Sequence, residues 1–115
     1  MCPWFPPSPH EGGLKIPPDQ HASIIRQADA FAATRQWNSS YKLQLRFKNQ
    51  FCYVDSLEKD GTVSPLGRLR HCRANRWSVA FYTYSNERYE PCYLPNGDGY
   101  GSFEEALAIC EVYLV

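Results

Sequence analysis

The stretch YKLQLRFKNQFCYVDSL, residues 41–57, decides the fold. Tyr41, Leu43, Leu45 and Phe47 alternate with Lys42, Gln44, Arg46 and Lys48. That period of two matches a strand with one buried face, whereas a helix needs 3.6. Asn49-Gln50 then reads as the loop of a tight hairpin into Phe51–Leu57. A two-residue loop sets Phe47 opposite Cys52, Leu45 opposite Val54 and Leu43 opposite Ser56. The other face of this hairpin displays Gln44, Arg46, Lys48, Phe51 and Tyr53.

Outward from the hairpin, Lys59-Asp60-Gly61 is a turn, and Leu66–Arg73 is predicted as a third strand. Ala74-Asn75 turns it into a fourth, Trp77–Tyr84, which carries no charge, as expected of a strand covered on both faces. Ser85–Arg88 leads into a fifth, Tyr89–Leu94, where Pro91 marks an edge or a bulge. The simplest register sets Phe81 opposite Cys92 and Val79 opposite Leu94. It also sets Arg68 and Arg70 on the same face as Val79 and Phe81, and two unpartnered guanidinium groups are prohibitively costly there. Either a bulge shifts the pairing or an acid such as Glu90 meets them.

Ile24, Ile25, Ala28, Phe31 and Ala32 recur at helical spacing, which predicts a helix between Asp19 and Trp37. Ser102-Phe103-Glu104-Glu105 is a capping box, in which the serine and the second glutamate each satisfy the other's free amide. The helix it opens would bury Phe103, Ala106, Leu107, Cys110, Tyr113 and Leu114. The expected fold is α+β: an antiparallel sheet of about five strands in a meander, flanked by an N-terminal and a C-terminal helix.

A chain of 115 residues is the size of one domain, here assigned to residues 19–115. Residues 1–18 hold six of the nine prolines (3, 6, 7, 9, 17 and 18) and read as an extended arm. Trp4 and Phe5 within it are expected to pack on this protein's own sheet or on a second copy. No apolar run approaches the ~20 residues of a membrane span, and the first residues lack the pattern of a secretory signal. Five cysteines, an odd count, favour free thiols in a reducing compartment, so the expected location is cytoplasmic.

The formal charge of zero hides a segregation. Between Tyr41 and Arg76, eight Lys or Arg face three acids; from Ser85 to Val115, one Arg faces six. The basic part carries aromatic residues, so it is the candidate binding surface: Arg46, Lys48, Phe51 and Tyr53 on the hairpin, with Arg68, Arg70, Arg73 and Arg76 on the next strand and turn. Cations beside flat rings suit single-stranded nucleic acid, where stacking is worth roughly 1–3 kcal/mol per base. A pI of about 6.8 speaks against a dedicated nucleic-acid domain. The leading expectation is therefore a non-enzymatic interaction domain that binds a protein partner or itself as a homodimer, with nucleic acid second. A third alternative is a reactive thiol or a small-molecule pocket near the loop Asn96–Gly101, with Cys2 the most reactive cysteine.

No catalytic, cofactor or metal site is expected. Cys52, Cys72 and Cys92 lack the close pairing of zinc ligands, and His10, His21 and His71 show no spacing that sets a base beside a nucleophile. Three phrases, RFKNQFCYVD, RWSVAFYTYSNERYEP and GSFEEAL, resemble stretches of short bacterial proteins of unknown function. The resemblance covers residues 41–115 and implies a single bacterial domain, without an activity or a site. Strands followed by a helix opening Gly-x-Phe-x-x-Ala are also similar to the sheet-type arm-binding domains of phage integrases.

Overall fold

The protein is described by a computed structural model over residues 14–73, 76–94, 97 and 99–114. Five strands, β1 (Tyr41–Lys48), β2 (Phe51–Glu58), β3 (Val63–Arg73), β4 (Arg76–Thr83) and β5 (Arg88–Cys92), form one antiparallel sheet in chain order. Helix α1 (His21–Ala33) precedes the sheet and α2 (Phe103–Cys110) follows it. This is the α+β meander that the alternation and the capping box predict.

The hairpin register is the one expected from a two-residue loop. Phe47 pairs with Cys52, Leu45 with Val54 and Leu43 with Ser56. Asn49 closes the loop at a φ of 54°, a left-handed conformation that asparagine tolerates better than most residues. On the helix side, Cys52, Val54, Leu69, Trp77 and Val79 join Ile24, Ala28 and Phe31 of α1 and Phe103, Ala106, Leu107 and Cys110 of α2 in the main core. α1 packs over β1 and α2 over β3 and β4, so both helices cover the same face.

A bulge resolves the conflict over Arg68 and Arg70. His71 pairs with Trp77 and Arg73 with Arg76, which leaves Cys72 as an extra residue in β3. One added residue flips every side chain before it to the other face, so Leu69 meets Val79 while Arg68 meets Ala80 and Arg70 meets Ser78. A second irregularity between Val54 and Asp55 leaves Leu66 extra and buried in the core. The expected β4–β5 register is corrected by two residues: Val79 pairs with Cys92 and Phe81 with Glu90. The turn Tyr84–Glu87 closes earlier than expected, with Glu87 at a φ of 52°. A shift of two preserves which face each residue occupies, and Leu94 stays buried.

Helix α1 ends at Ala33, short of Trp37, and a separate 3-10 turn, Gln36–Ser39, carries Trp37 inward. Residues 14–18, counted with the arm on their prolines, join the domain. Ile16 is buried in the main core and donates its amide to Asn49 O at 2.9 Å. Residues 1–13, with Trp4, Phe5 and His10, lie outside the described residues.

Both sheet borders are protected against pairing with another chain. β1 exposes Lys42, Arg46 and Lys48 along its length, and β5 has Pro91, which cannot donate to a ladder. Among the described residues, no helix is long and apolar enough to cross a membrane.

Candidate interaction surface

Parity along the strands builds the surface. Once the helix face claims Cys52, Val54, Leu69 and Val79, the opposite face must take Arg46, Phe51, Tyr53, Arg68, Arg70, Ser78 and Ala80. The same pairing adds Asp55 opposite Gln44, and Tyr89 opposite Tyr82.

Arg68 is the centre. Its guanidinium carbon lies 4.3 Å from the Phe51 ring centroid, 5.2 Å from Tyr89 and 5.9 Å from Tyr53. Ring quadrupoles attract a cation at such distances, more strongly when water is excluded, and Arg68 is only 7% exposed. The rings also meet one another: Tyr53 lies edge-on to Tyr89 at 5.6 Å, and Tyr89 to Tyr82 at 5.2 Å. Tyr82 in turn contacts Tyr84 at 4.9 Å, and Tyr84 contacts Tyr113 at 5.1 Å. Edge-to-face packing is the arrangement aromatic quadrupoles favour. The Tyr84 hydroxyl donates to Pro65 O at 2.7 Å and that of Tyr113 to Tyr82 O at 2.6 Å, which holds the end of this row.

Arg46 donates through Nε to Asp55 Oδ2 at 2.8 Å and lies 4.8 Å from the Tyr53 ring centroid. The hydrogen bond to Asp55 raises the arginine's pKa, as a charge-assisted bond must. Burial, with Asp55 adding to it, pushes the Tyr89 phenol up. Arg70 donates through Nε to Ser78 Oγ at 3.1 Å, and burial lowers its pKa. Arg76 lies 4.8 Å from the Tyr100 ring centroid at the far end of β4. The Arg73 side chain lies outside the described residues.

Apart from Arg73, the predicted surface is thus gathered on one face but divided in state. Its β1 margin, with Lys42, Gln44, Arg46 and Lys48, is exposed, whereas Arg68 and Arg70 are buried. Sequence reading missed Asp55, Tyr89 and Tyr100. Strand parity reaches Asp55, two residues beyond Tyr53; Tyr89 and Tyr100 depend on long-range register.

The acidic C-terminal helix does not cover this face. Glu105 accepts from the Ser102 amide at 2.9 Å while Ser102 Oγ accepts from the Glu105 amide at 3.1 Å, completing the capping box. Glu111 accepts from Trp37 Nε1 at 2.9 Å and pairs with Arg35 at 3.4 Å, tying the two helical ends together. Glu104 is exposed.

The histidines and thiols have structural places. His21 stacks on Phe47 with centroids 3.9 Å apart, and His71 packs on Trp77 while its Nδ1 lies 3.2 Å from Leu14 O. Cys52, Cys92 and Cys110 are free. Burial pushes the Cys52 thiol up to about 12 and raises Cys92; it also holds Cys110 well above the ordinary thiol range, its two neighbouring cysteines adding to the effect. Protonated buried thiols are poor nucleophiles. Cys72 corrects the expectation of free thiols throughout: it is disulfide-bonded and packs with Tyr100, apart from the main core. Cys2 lies outside the described residues, as do Asn96 and Asp98 of the glycine loop. Among the described residues, no three His, Cys, Asp or Glu side chains are placed to hold a metal ion.

No protein-family model, curated protein or solved structure matches this chain.

Proposed function

We propose that this chain is a non-enzymatic protein-binding module whose exposed β1 margin receives an acidic protein surface, a second copy of itself being the first partner to test. The observation that carries this reading is the state of Arg46. Its side chain is 54% exposed, yet it is anchored by Asp55, which is 4% exposed. A long flexible cation held in one geometry loses less conformational entropy on binding than a free one. Lys42 and Lys48 flank it on the same strand face and are exposed. Exposed charge of this kind sets association rate and partner choice more than affinity.

The matching acids lie on the helical side of the molecule, where Glu104 is exposed. In this reading the module is cytoplasmic, a setting in which disulfides are transient and redox-sensing. Nucleic acid is the weaker reading, because Phe51, Tyr53 and Tyr89 surround Arg68 and contact one another. Their ring faces are thereby less open to bases.

Sedimentation equilibrium at low and high salt tests the proposal. The expected result is a dimer at low salt that dissociates at high salt and in the Lys42→Glu/Lys48→Glu variant. A monomer under both conditions removes self-association. Fluorescence anisotropy with a single-stranded probe separates the alternative, since salt-dependent binding at micromolar protein would favour nucleic acid.

A further inference from the structure

β1 is an edge strand in a form that pairing can use. It runs for eight residues, Tyr41–Lys48, without a bulge or a proline. Its one neighbour in the sheet is β2, and among the described residues no other backbone group bonds to it. In an antiparallel pair every second residue directs its N–H and C=O away from the neighbouring strand. The outer side of β1 therefore offers a row of unused donors and acceptors. The opposite border, β5, is five residues long and interrupted by Pro91.

Alternation gives the two faces of this border different chemistry. Lys42, Gln44, Arg46 and Lys48 are exposed on the open face. Tyr41, Leu43, Leu45 and Phe47 are partly buried against the core, on the side where α1 packs. Side chains on one face of a strand recur about every 6.8 Å, and Arg46 is pinned in its place by Asp55. These cations oppose the β1 of a second copy, because like charges set opposite one another destabilise a strand pair. For an acidic strand the sign reverses, and each carboxylate falls beside a cation.

We propose that β1 receives an extended segment of a partner protein as an added strand, and that this segment alternates Asp or Glu with aliphatic residues. The backbone ladder gives affinity, and the side chains at alternate positions give specificity. The acids lie beside Lys42, Arg46 and Lys48, while the aliphatic side chains extend the row of Leu43, Leu45 and Phe47. The cations that guard this border against neutral and basic strands thus select an acidic one. This inference rests on the reading of the β1 margin as a receiver of acids, and it adds that the partner binds there as a strand.

The test is fluorescence anisotropy of the full chain with labelled, end-capped peptides of the length of β1. One peptide alternates Glu with Val and Thr. A second has the same composition with its acids in one block. Two more are the alternating peptide N-methylated at every second amide, one in each phase. The expected result is salt-dependent binding of the alternating peptide, several-fold tighter than the blocked one. Methylation in one phase should abolish binding and in the other leave it, since only one set of amides faces β1. The Lys42→Glu/Lys48→Glu variant, with unchanged circular dichroism, should lose the acidic peptide and bind one carrying Lys in place of Glu. Equal affinity for the alternating and blocked peptides, or indifference to methylation in both phases, overturns strand addition while leaving the acid-binding reading in place. Binding of neither acidic peptide also overturns the inference, and sedimentation then decides the reading of the margin by itself.

Discussion

Arg46 on β1 reaches across to Asp55 on β2, Nε to Oδ2 at 2.8 Å, and so joins an exposed cation to a buried carboxylate. The two residues are not direct partners in the ladder, since Arg46 pairs with Tyr53 and Asp55 with Gln44. The link is diagonal, on the face away from the helices.

Removing Arg46 would leave Asp55 buried without its cation. Loss of one partner of a fully buried pair costs about 3–5 kcal/mol, but here the arginine is half solvated, so Arg46→Ala is expected to cost about 1–2 kcal/mol. The double variant Arg46→Ala/Asp55→Ala should lose less than the sum of the two singles. Urea denaturation of the four proteins gives the coupling, and strict additivity would mean the pair contributes nothing.

Gly67 on β3 lies directly against Cys110 of α2. A Cβ there would lie 2.7 Å from Cys110 Sγ and 3.2 Å from Ala80 O, and Cys110 is 1% exposed. Gly67→Ala should therefore destabilise by about 1–3 kcal/mol, as overpacked cores do. Adding Cys110→Ala, which removes the obstructing sulfur, should recover part of that loss. No recovery in the thermal midpoint would place the clash at the Ala80 carbonyl instead.

Alkaline pH should unfold this protein more easily through its buried thiols. Cys52, Cys92 and Cys110 all have pKa values raised by burial, so above the ordinary thiol range the unfolded chain loses protons that the folded chain keeps. Stability is then complete below pH ~8.5 and falls as pH rises toward the folded values, about 12 for Cys52. Each thiol contributes a slope of roughly 1.4 kcal/mol per pH unit within its window. Urea midpoints at pH 7.5 and 9.5 should show the decline, and Cys52→Ala should make it shallower. Parallel declines would assign the effect to other groups.

The capping box is worth a direct measurement because it also places the loop before α2. Ser102 follows Gly101, whose amide and carbonyl both bond to Trp77 at 2.9 and 2.7 Å. Ser102→Ala is expected to cost about 1 kcal/mol, and Glu105→Ala added to it should cost less than it does alone. Amide exchange at Glu105 is the second readout, expected to quicken when its acceptor is gone.

Residues 41–58 were legible because every signal there is local. Period two and a two-residue loop together set both strands and their register. The capping box was legible for the same reason, being complete within four residues. The candidate surface was legible only as a set of types. Alternation placed Arg46, Lys48, Phe51 and Tyr53 on one face of the hairpin, but nothing local said where Arg68 and Arg70 would point.

Composition, alternation and end signals alone determined the α+β meander, its chain order and the first hairpin, since each depends on neighbours a few residues apart. Tertiary structure decided the rest. The extra residue at Cys72 turned Arg68 and Arg70 away from the helices, and the β4–β5 register brought Tyr89 to Arg68. Both helices came to lie on a single side, which set the acids of α2 apart from the basic strands. A strand's faces alternate strictly, so one inserted residue reverses all that precede it, and which strand absorbs it is settled by packing between segments distant in the chain.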